Sequence, residues 1–353
     1  MSILPREGLY IDPIVSLIRK TILNPTIALL FVGYLKLIDT PRLAAYERPA
    51  FCAAALSVAL WLNDFLTRGS RNNWVTDRTW DWSKELVVVT GGSSGIGGSI
   101  VQRLASDGVQ IVVIDVIPPT YSTENKHIAY HYCDLSDESE IREVCSRIRE
   151  NIGHPTVLVN NAGLSRGQMV AEGTYHDNSI TLRTNLLAPL LLSKEFLPHM
   201  IERNHGHIVN ISSLSAYIPP AGLADYAASK AGLVAFHESL GLELKYHHGS
   251  TKVRTSLAVL SFIKTPLFKG ELNQPHFFFP LMHVDTVGDA VVDTLYSGYG
   301  RTMFLPGVFR YFAGLRGAPE WIQNIVLGSS QSLKVDFKGR QMIDPVTGKL
   351  REL

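Results

Sequence analysis

The chain has 353 residues, 33 Lys and Arg against 32 Asp and Glu, a formal net charge of +1 and 46% hydrophobic residues. That length supports one large domain, or a domain with an appendage, and excludes a small stapled scaffold. Charges of both signs spread along the chain remove the electrostatic footprint of a nucleic-acid binder, so no such partner is expected.

The first 82 residues differ in character from the rest. Two apolar stretches, 26–35 and 49–62, are separated by charged residues. A full membrane span needs about 20 mostly apolar residues, and shorter stretches suit interfacial, re-entrant or hairpin segments. A cleavable signal peptide fits poorly, because Arg19 and Lys20 lie deep inside the chain and a second apolar stretch follows. We therefore expect an uncleaved membrane anchor. Arg68 and Arg71 after the second stretch favour a cytosolic catalytic body, while Arg42 and Arg48 fit a hairpin with a shallow turn.

Residues 83–306 alternate short β-rich runs with helical patterns, as βαβ units of a parallel sheet do. Strands are predicted at 86–89, 111–114, 128–132, 157–159, 207–211, 254–260 and 302–305, and helices at 141–148, 186–200, 226–242 and 284–295. Seven such strands make a Rossmann-type, doubly wound α/β sheet, here preceded by apolar helices. Residues 307–353 form a C-terminal extension with the aromatic run Val308-Phe309-Arg310-Tyr311-Phe312 and an apolar helix at 321–327. That helix reads as packing, as a second membrane contact or as a wall of a substrate entrance. Cys52, Cys133 and Cys145 are odd in number and lack paired or metal-ligand spacing, so no metal is expected.

Two motifs carry chemistry. Thr90-Gly91-Gly92-Ser93-Ser94-Gly95-Ile96-Gly97 follows the first strand and leads into a helix, so its backbone can approach a pyrophosphate at a helix N-terminus. Asp115 ends the next strand, where a carboxylate can accept from an adenosine ribose and repel a 2′-phosphate. This favours NAD(H) and leaves NADP(H) open, since Arg103 or a residue distant in sequence could meet a phosphate. Further on, Tyr226 and Lys230 are four apart and share a helix face, where an ammonium would favour the ionised phenol.

Over about 84–306 these motifs, in this order, resemble the short-chain dehydrogenase/reductase family, and the apolar leader resembles its membrane-associated branch of retinol and 17β-hydroxysteroid dehydrogenases. The family's glycine motif is matched by Thr90, Gly91, Gly95 and Gly97. Its adenine-contacting aspartate is matched by Asp134, and its Asn-Asn-Ala-Gly motif by residues 160–163, with Asn161 beside the cofactor. The resemblance implies Asn185, Ser213, Tyr226 and Lys230 as the catalytic set. Ser213 is preferred to Ser212 by its spacing from Tyr226, and strand alternation turns the two apart. It further implies Tyr226 as acid/base, Ser213 as donor to the substrate oxygen, Lys230 on the nicotinamide ribose and Asn185 holding a relay water. Ile263 and Thr265 would meet the nicotinamide amide and the phosphates.

One departure stands out. Where the family usually has Pro-Gly after the sixth strand, this chain has Leu260-Ser261, so the resemblance does not extend to the local backbone path or the opening of the substrate loop. The resemblance implies that the segment with Pro266-Leu267-Phe268 and the run from Phe277 to Met282 covers the substrate as an apolar lid, and these residues read equally as core or membrane-contact aromatics. The implied activity interconverts a lipophilic alcohol and its carbonyl compound, of retinoid, steroid, fatty or polyketide/terpenoid type. It would take place at the endoplasmic reticulum or a lipid droplet, in a homodimer or homotetramer. The competing readings are a membrane-associated reductase of a biosynthetic pathway and a silent dinucleotide-binding scaffold.

Overall fold

The computed structural model describes residues 5–38, 43–124, 127–265, 267 and 274–330. Seven parallel strands form one sheet in the order β3-β2-β1-β4-β5-β6-β7. They are β1 (Leu86–Thr90), β2 (Gln110–Asp115), β3 (Ile128–Tyr132), β4 (Val157–Asn160), β5 (Gly206–Ser213), β6 (Val253–Leu260) and β7 (Thr302–Leu305). The order reverses between β1 and β4, and ligands of such sheets bind beyond the strand C-termini at that point. Val87, Val88 and Val89 are all fully buried, because helices cover both faces and β1 must be apolar throughout.

On one face lie α4 (Gly95–Ser106) and α9 (Val284–Tyr296), packed through Ile100, Leu104, Val287 and Val291. The other face carries α5 (Glu138–Asn151), α7 (Ala188–Arg203) and α8 (Ala224–Leu242), with Val144, Leu192, Phe196 and Leu240 in its core. A short α6 (Tyr175–Leu182), begun by a reciprocal cap between Thr174 and Asp177, runs through a π-helical turn, Arg183–Leu187, into α7.

Before the sheet come α1 (Ile11–Lys20), α2 (Pro25–Ile38) and α3 (Ala44–Arg71). The second and third contain both apolar stretches; α1 is a helix that the two-stretch reading did not include. Among the described residues, α3 is long and apolar enough to cross a membrane, and only 17% of its apolar window is buried. Its C-terminus is fastened to the sheet by Arg254, whose buried guanidinium donates to the carbonyls of Asn72 (3.0 Å), Val75 (2.6 Å) and Gly298 (3.2 Å). Asn72 also accepts from Gly300 N through Oδ1 at 2.7 Å. After β7 a 3-10 segment, Gly307–Gly317, leads to α10 (Glu320–Ser329). Pro266, Phe268 and residues 331–353 lie outside the described residues.

Candidate active site

A cavity of about 420 Å³ opens beyond the strand C-termini. At its floor the chain turns from β1 into α4 with Gly91 and Gly95 at φ +61° and +55°, conformations that glycine adopts without strain. Asn161, after β4, donates through Nδ2 to the carbonyls of Thr90 (2.9 Å) and Gly91 (3.0 Å). The Thr90 hydroxyl in turn accepts from Asn161 N and Ala162 N at 3.0 Å. The turn is thus cross-braced to the next strand. A Cβ on Gly97 would run into the Gly91 carbonyl oxygen and Asn161 Nδ2, so α4 starts hard against the turn because residue 97 has no side chain.

Gly91, Ser94, Gly95, Ile96, Asp115 and Asn161 line the cavity. Ser93 and Gly97 support it from behind: Ser93 is wholly buried, and its hydroxyl donates to Ile117 O at 2.7 Å. Asp115 Oδ2 accepts from Ser93 N at 3.0 Å and Oδ1 from Val116 N at 2.8 Å. Burial pushes the Asp115 carboxyl up, against the pull of these backbone donors. Asp134 is fully buried, its Oδ1 accepting from Ser136 N at 2.8 Å, while its neighbours Cys133 and Leu135 reach the cavity. A backbone cradle that a side chain would fill, a helix N-terminus and a carboxylate at the end of β2 fit a dinucleotide.

The side chains expected to be catalytic sit above this floor. Ser213 ends β5, and its hydroxyl is near enough to the phenol of Tyr226, on the first turns of α8, to favour the ionised form. Ser212 points away, donating to Lys230 O at 3.1 Å. Lys230, one turn after Tyr226, is buried, and its Nζ donates to Ile211 O at 2.9 Å and lies 5.8 Å from the centre of the phenol ring. Asn185 occupies the π turn. Its Oδ1 accepts from Leu164 N (2.8 Å), and its Nδ2 donates to Leu164 O (2.8 Å) and Ser229 Oγ (3.1 Å). It therefore clamps the loop after β4 to α8. Gly163 allows this convergence, since a Cβ there would stand 3.3 Å from Lys230 Nζ and 3.4 Å from Asn185 Oδ1.

The expected electrostatic effect on Tyr226 is corrected by the structure. Burial raises the phenol above its ordinary value of 10.0, and the Ser213 hydroxyl opposes that rise without reversing it. Burial also lowers Lys230 to about 8. Desolvation of the phenolate outweighs the help it has from Ser213, a balance that residue spacing does not contain.

Leu260-Ser261 replaces a Pro-Gly pair with pairing of its own. Ser261 N donates to Leu305 O at 3.0 Å, and a parallel bridge joins Ile263 to Met282. Ile263 and Thr265 both line the cavity. Its upper wall is apolar, with Leu214, Ile218, Leu223, Phe279, Phe312 and Val326. One feature escaped sequence reasoning, the buried pair of Arg166 Nε and Asp177 Oδ1 at 2.6 Å, beside the loop after β4. Of the readings given to the apolar helix at 321–327, a wall of the substrate entrance is the one that Val326 of α10 fits.

This cleft defines a dinucleotide-dependent oxidoreductase. Residues 85–275, more than half of the chain, match the short chain dehydrogenase family model, and the chain belongs to that family. It is 40% identical over 197 residues to dehydrogenase RED2 of Cochliobolus heterostrophus, covering 56% of this chain and 74% of that protein. It is 29% identical over 221 residues to mouse epidermal retinol dehydrogenase 2, covering 60% and 71%. A solved metagenomic short-chain oxidoreductase in complex with NADP superposes with a TM-score of 0.51 at 28% identity, over 63% of this chain and 97% of that one. The protein is thus an NAD(P)-dependent oxidoreductase.

Proposed function

We propose that the protein interconverts a lipophilic alcohol and its aldehyde or ketone while anchored to a membrane through residues 1–82, with residues 83–306 as catalytic domain. The observation that carries this reading is the convergence of Ser213, Tyr226 and Lys230 beneath the apolar wall of Leu214, Phe279 and Phe312. Such a wall favours an apolar ligand and leaves few polar groups to orient it. The name of the mouse relative, a retinol dehydrogenase, supports the substrate class, and the exposed apolar surface of α3 supports the anchor.

A bound dinucleotide supplies the hydride acceptor or donor. In reduction, Tyr226 gives its phenolic proton to the substrate oxygen as that oxygen gains charge, and Ser213 donates a hydrogen bond to the same atom. In oxidation the phenolate takes the alcohol proton. Lys230 places an ammonium beside the phenol and within reach of a ribose, and Asn185 keeps the 163–166 loop and α8 in register. Gly91, Ser94, Gly95 and Ile96 would cradle the pyrophosphate, with Ser93 and Gly97 shaping the turn, Asp134 and Asn161 beneath the adenine and turn, and Ile263 and Thr265 near the nicotinamide. Asp115 favours NAD(H) by repelling a 2′-phosphate.

The test is turnover of retinoid, steroid and fatty alcohols and ketones by the detergent-solubilised protein, with NAD(H) and NADP(H), beside Tyr226→Phe. We expect Tyr226→Phe to bind dinucleotide normally and lose most turnover; near-normal turnover would sink the assignment. Competitive titration should show NADH bound more tightly than NADPH, and the reverse order would overturn the role given to Asp115.

A further inference from the structure

The segment ahead of the apolar hairpin is bonded to both segments that bring aromatic rings to the cavity wall, Phe279 from one and Phe312 from the other. On one side, Glu7 Oε1 accepts from His283 N (3.0 Å) and Thr286 Oγ1 (2.5 Å), at the start of α9. Glu7 O meets His276 Nε2 at 2.8 Å, and Ile11 N donates to Phe277 O at 3.1 Å. On the other side, Asp12 Oδ2 accepts from Gly307 N (2.5 Å) and Oδ1 from Val308 N (3.3 Å), capping the 3-10 segment. The two sides meet above the cavity, where Phe279 packs on Phe309 at 5.1 Å and Phe309 on Phe312 at 5.4 Å.

Helix α1 continues this strap with its amphipathic faces reversed. Ile11, Ile14, Val15 and Ile18 recur at helical spacing and form one stripe, flanked on one edge by Asp12 and Arg19, with Ser16 and Lys20 farther round. A helix of a water-soluble body turns its stripe to the core. Here the edge with Asp12 and Arg19 faces the protein, through Asp12 to the 3-10 segment and through Arg19 to Asp64 at 3.4 Å, and no residue of α1 is buried. Ile14, Val15 and Ile18 are all exposed. The wall of the cleft repeats the arrangement: Val326 of α10 faces the cavity, whereas Trp321 and Ile325 face outward.

We propose that α1 is a bilayer-docking helix that fastens the cleft mouth to the lipid surface, so that an apolar substrate passes from the bilayer into the cavity. The inference rests on the membrane-anchored reading above and adds the occupant of the stripe. A lipid surface is that occupant for two reasons. At 1.5 Å per residue the 28 residues of α3 exceed the roughly 30 Å hydrocarbon core. The Arg19–Asp64 pair then sets α1 beside the last two turns of α3, where an interfacial helix with Arg and Lys on its polar face belongs. Outward Trp and Tyr side chains, as at Trp321 and Tyr311, also suit that level.

The test uses the full chain carrying Cys52→Ser, with an environment-sensitive fluorophore attached at Val15→Cys or at Ser16→Cys, in phosphatidylcholine/phosphatidylserine vesicles. We expect the label at 15 to shift to the blue and to be shielded several-fold from aqueous iodide, and the label at 16 to remain quenchable. Equal quenching at both positions in protein that floats with the vesicles would overturn the inference while leaving the anchor intact. In a second arm, Ile14→Asp with Val15→Asp should raise KM several-fold for a vesicle-dissolved long-chain alcohol. The same pair should leave KM for a short water-soluble alcohol and the Kd for NADH unchanged, and an unchanged KM for the vesicle-dissolved alcohol would refute it. Protein that fails to float overturns the anchor and the inference together. Absent turnover of both alcohols refutes the lipophilic-alcohol reading, and the fluorescence arm still decides the docking.

Discussion

Gly97→Ala isolates the contact that shapes the dinucleotide floor. The added Cβ would stand 2.6 Å from Asn161 Nδ2 and closer still to the Gly91 carbonyl oxygen, against an ordinary contact of about 3.5 Å or more. Neither neighbour can swing aside, since one is backbone and the other donates to the carbonyls of Thr90 and Gly91. Overpacking costs about 1–3 kcal/mol. Losing two hydrogen bonds adds roughly 0.5–1.5 kcal/mol each. If even half of that total, about 1–3 kcal/mol, falls on the shape of the turn, the Kd for NADH rises about fivefold or more. The matched control is Gly98→Ala, whose Cβ meets the Tyr121 ring edge at 3.2 Å and Gly92 O at 3.6 Å, a contact the ring can yield to. Fluorescence titration of NADH on both variants should separate them, with Gly98→Ala close to wild type. Wild-type affinity in Gly97→Ala, or equal loss in both, would refute the reasoning.

Asn185→Ala should strip the buried N–H and C=O of Leu164 of their partners, at about 1–3 kcal/mol for each group, and lower Tm by several degrees; an unchanged Tm would show that the clamp is not structural. Burial lowers both His207 and His237 to about 3, so they fold neutral, and the unfolded chain takes up their protons as pH falls below 6.5. Their stabilisation is complete above 6.5 and lost towards pH 3, at up to about 2 kcal/mol each by pH 5, which urea midpoints would register. His205, raised by its hydrogen bond to Glu85, has the opposite sign: its contribution is full below 6.5 and fades as pH rises through its elevated value. A urea midpoint that stays flat between pH 6.5 and 5 would count against buried neutral histidines.

The strands were readable because a parallel sheet covered on both faces needs continuous apolar runs, and predicted boundaries fall within one or two residues of β1 to β7. The Tyr226/Lys230 spacing likewise places both residues on one helix face, and the two serines diverge as strand alternation requires. What spacing lacks is the third dimension. Ser93 belongs to the glycine turn, yet its hydroxyl serves Ile117; Asn161 braces the turn through backbone carbonyls; Arg166 finds Asp177 across a loop. Helix α6 carried a readable cap in Thr174 and Asp177, but its apolar pattern is weak. The stripe of α1 was equally visible at 11, 14, 15 and 18, and its meaning depends on which side the fold leaves uncovered.

The direction of the Tyr226 shift bears on how the proton is handled. At neutral pH a lysine held near 8 is still mostly charged, so an ammonium stands beside the phenol in the resting protein. The phenol nevertheless keeps its proton, because burial raises the cost of the phenolate more than Ser213 lowers it. On the role proposed for Tyr226, the resting site is therefore set as an acid that would give its proton to a substrate oxygen as charge builds there. Acting as a base requires further stabilisation of the phenolate. Within this chain that can come from Ser213, which already favours the ionised phenol, and from Lys230, whose Nζ donates to Ile211 O at 2.9 Å and has further hydrogens to donate. Ser213 and Lys230 thus act on the same phenol from β5 and from the next turn of α8, and the π turn at Asn185 ties α8 to the loop after β4. The proposed proton transfer therefore depends on that junction, which holds α8 against the loop after β4, as well as on the Tyr–Lys spacing.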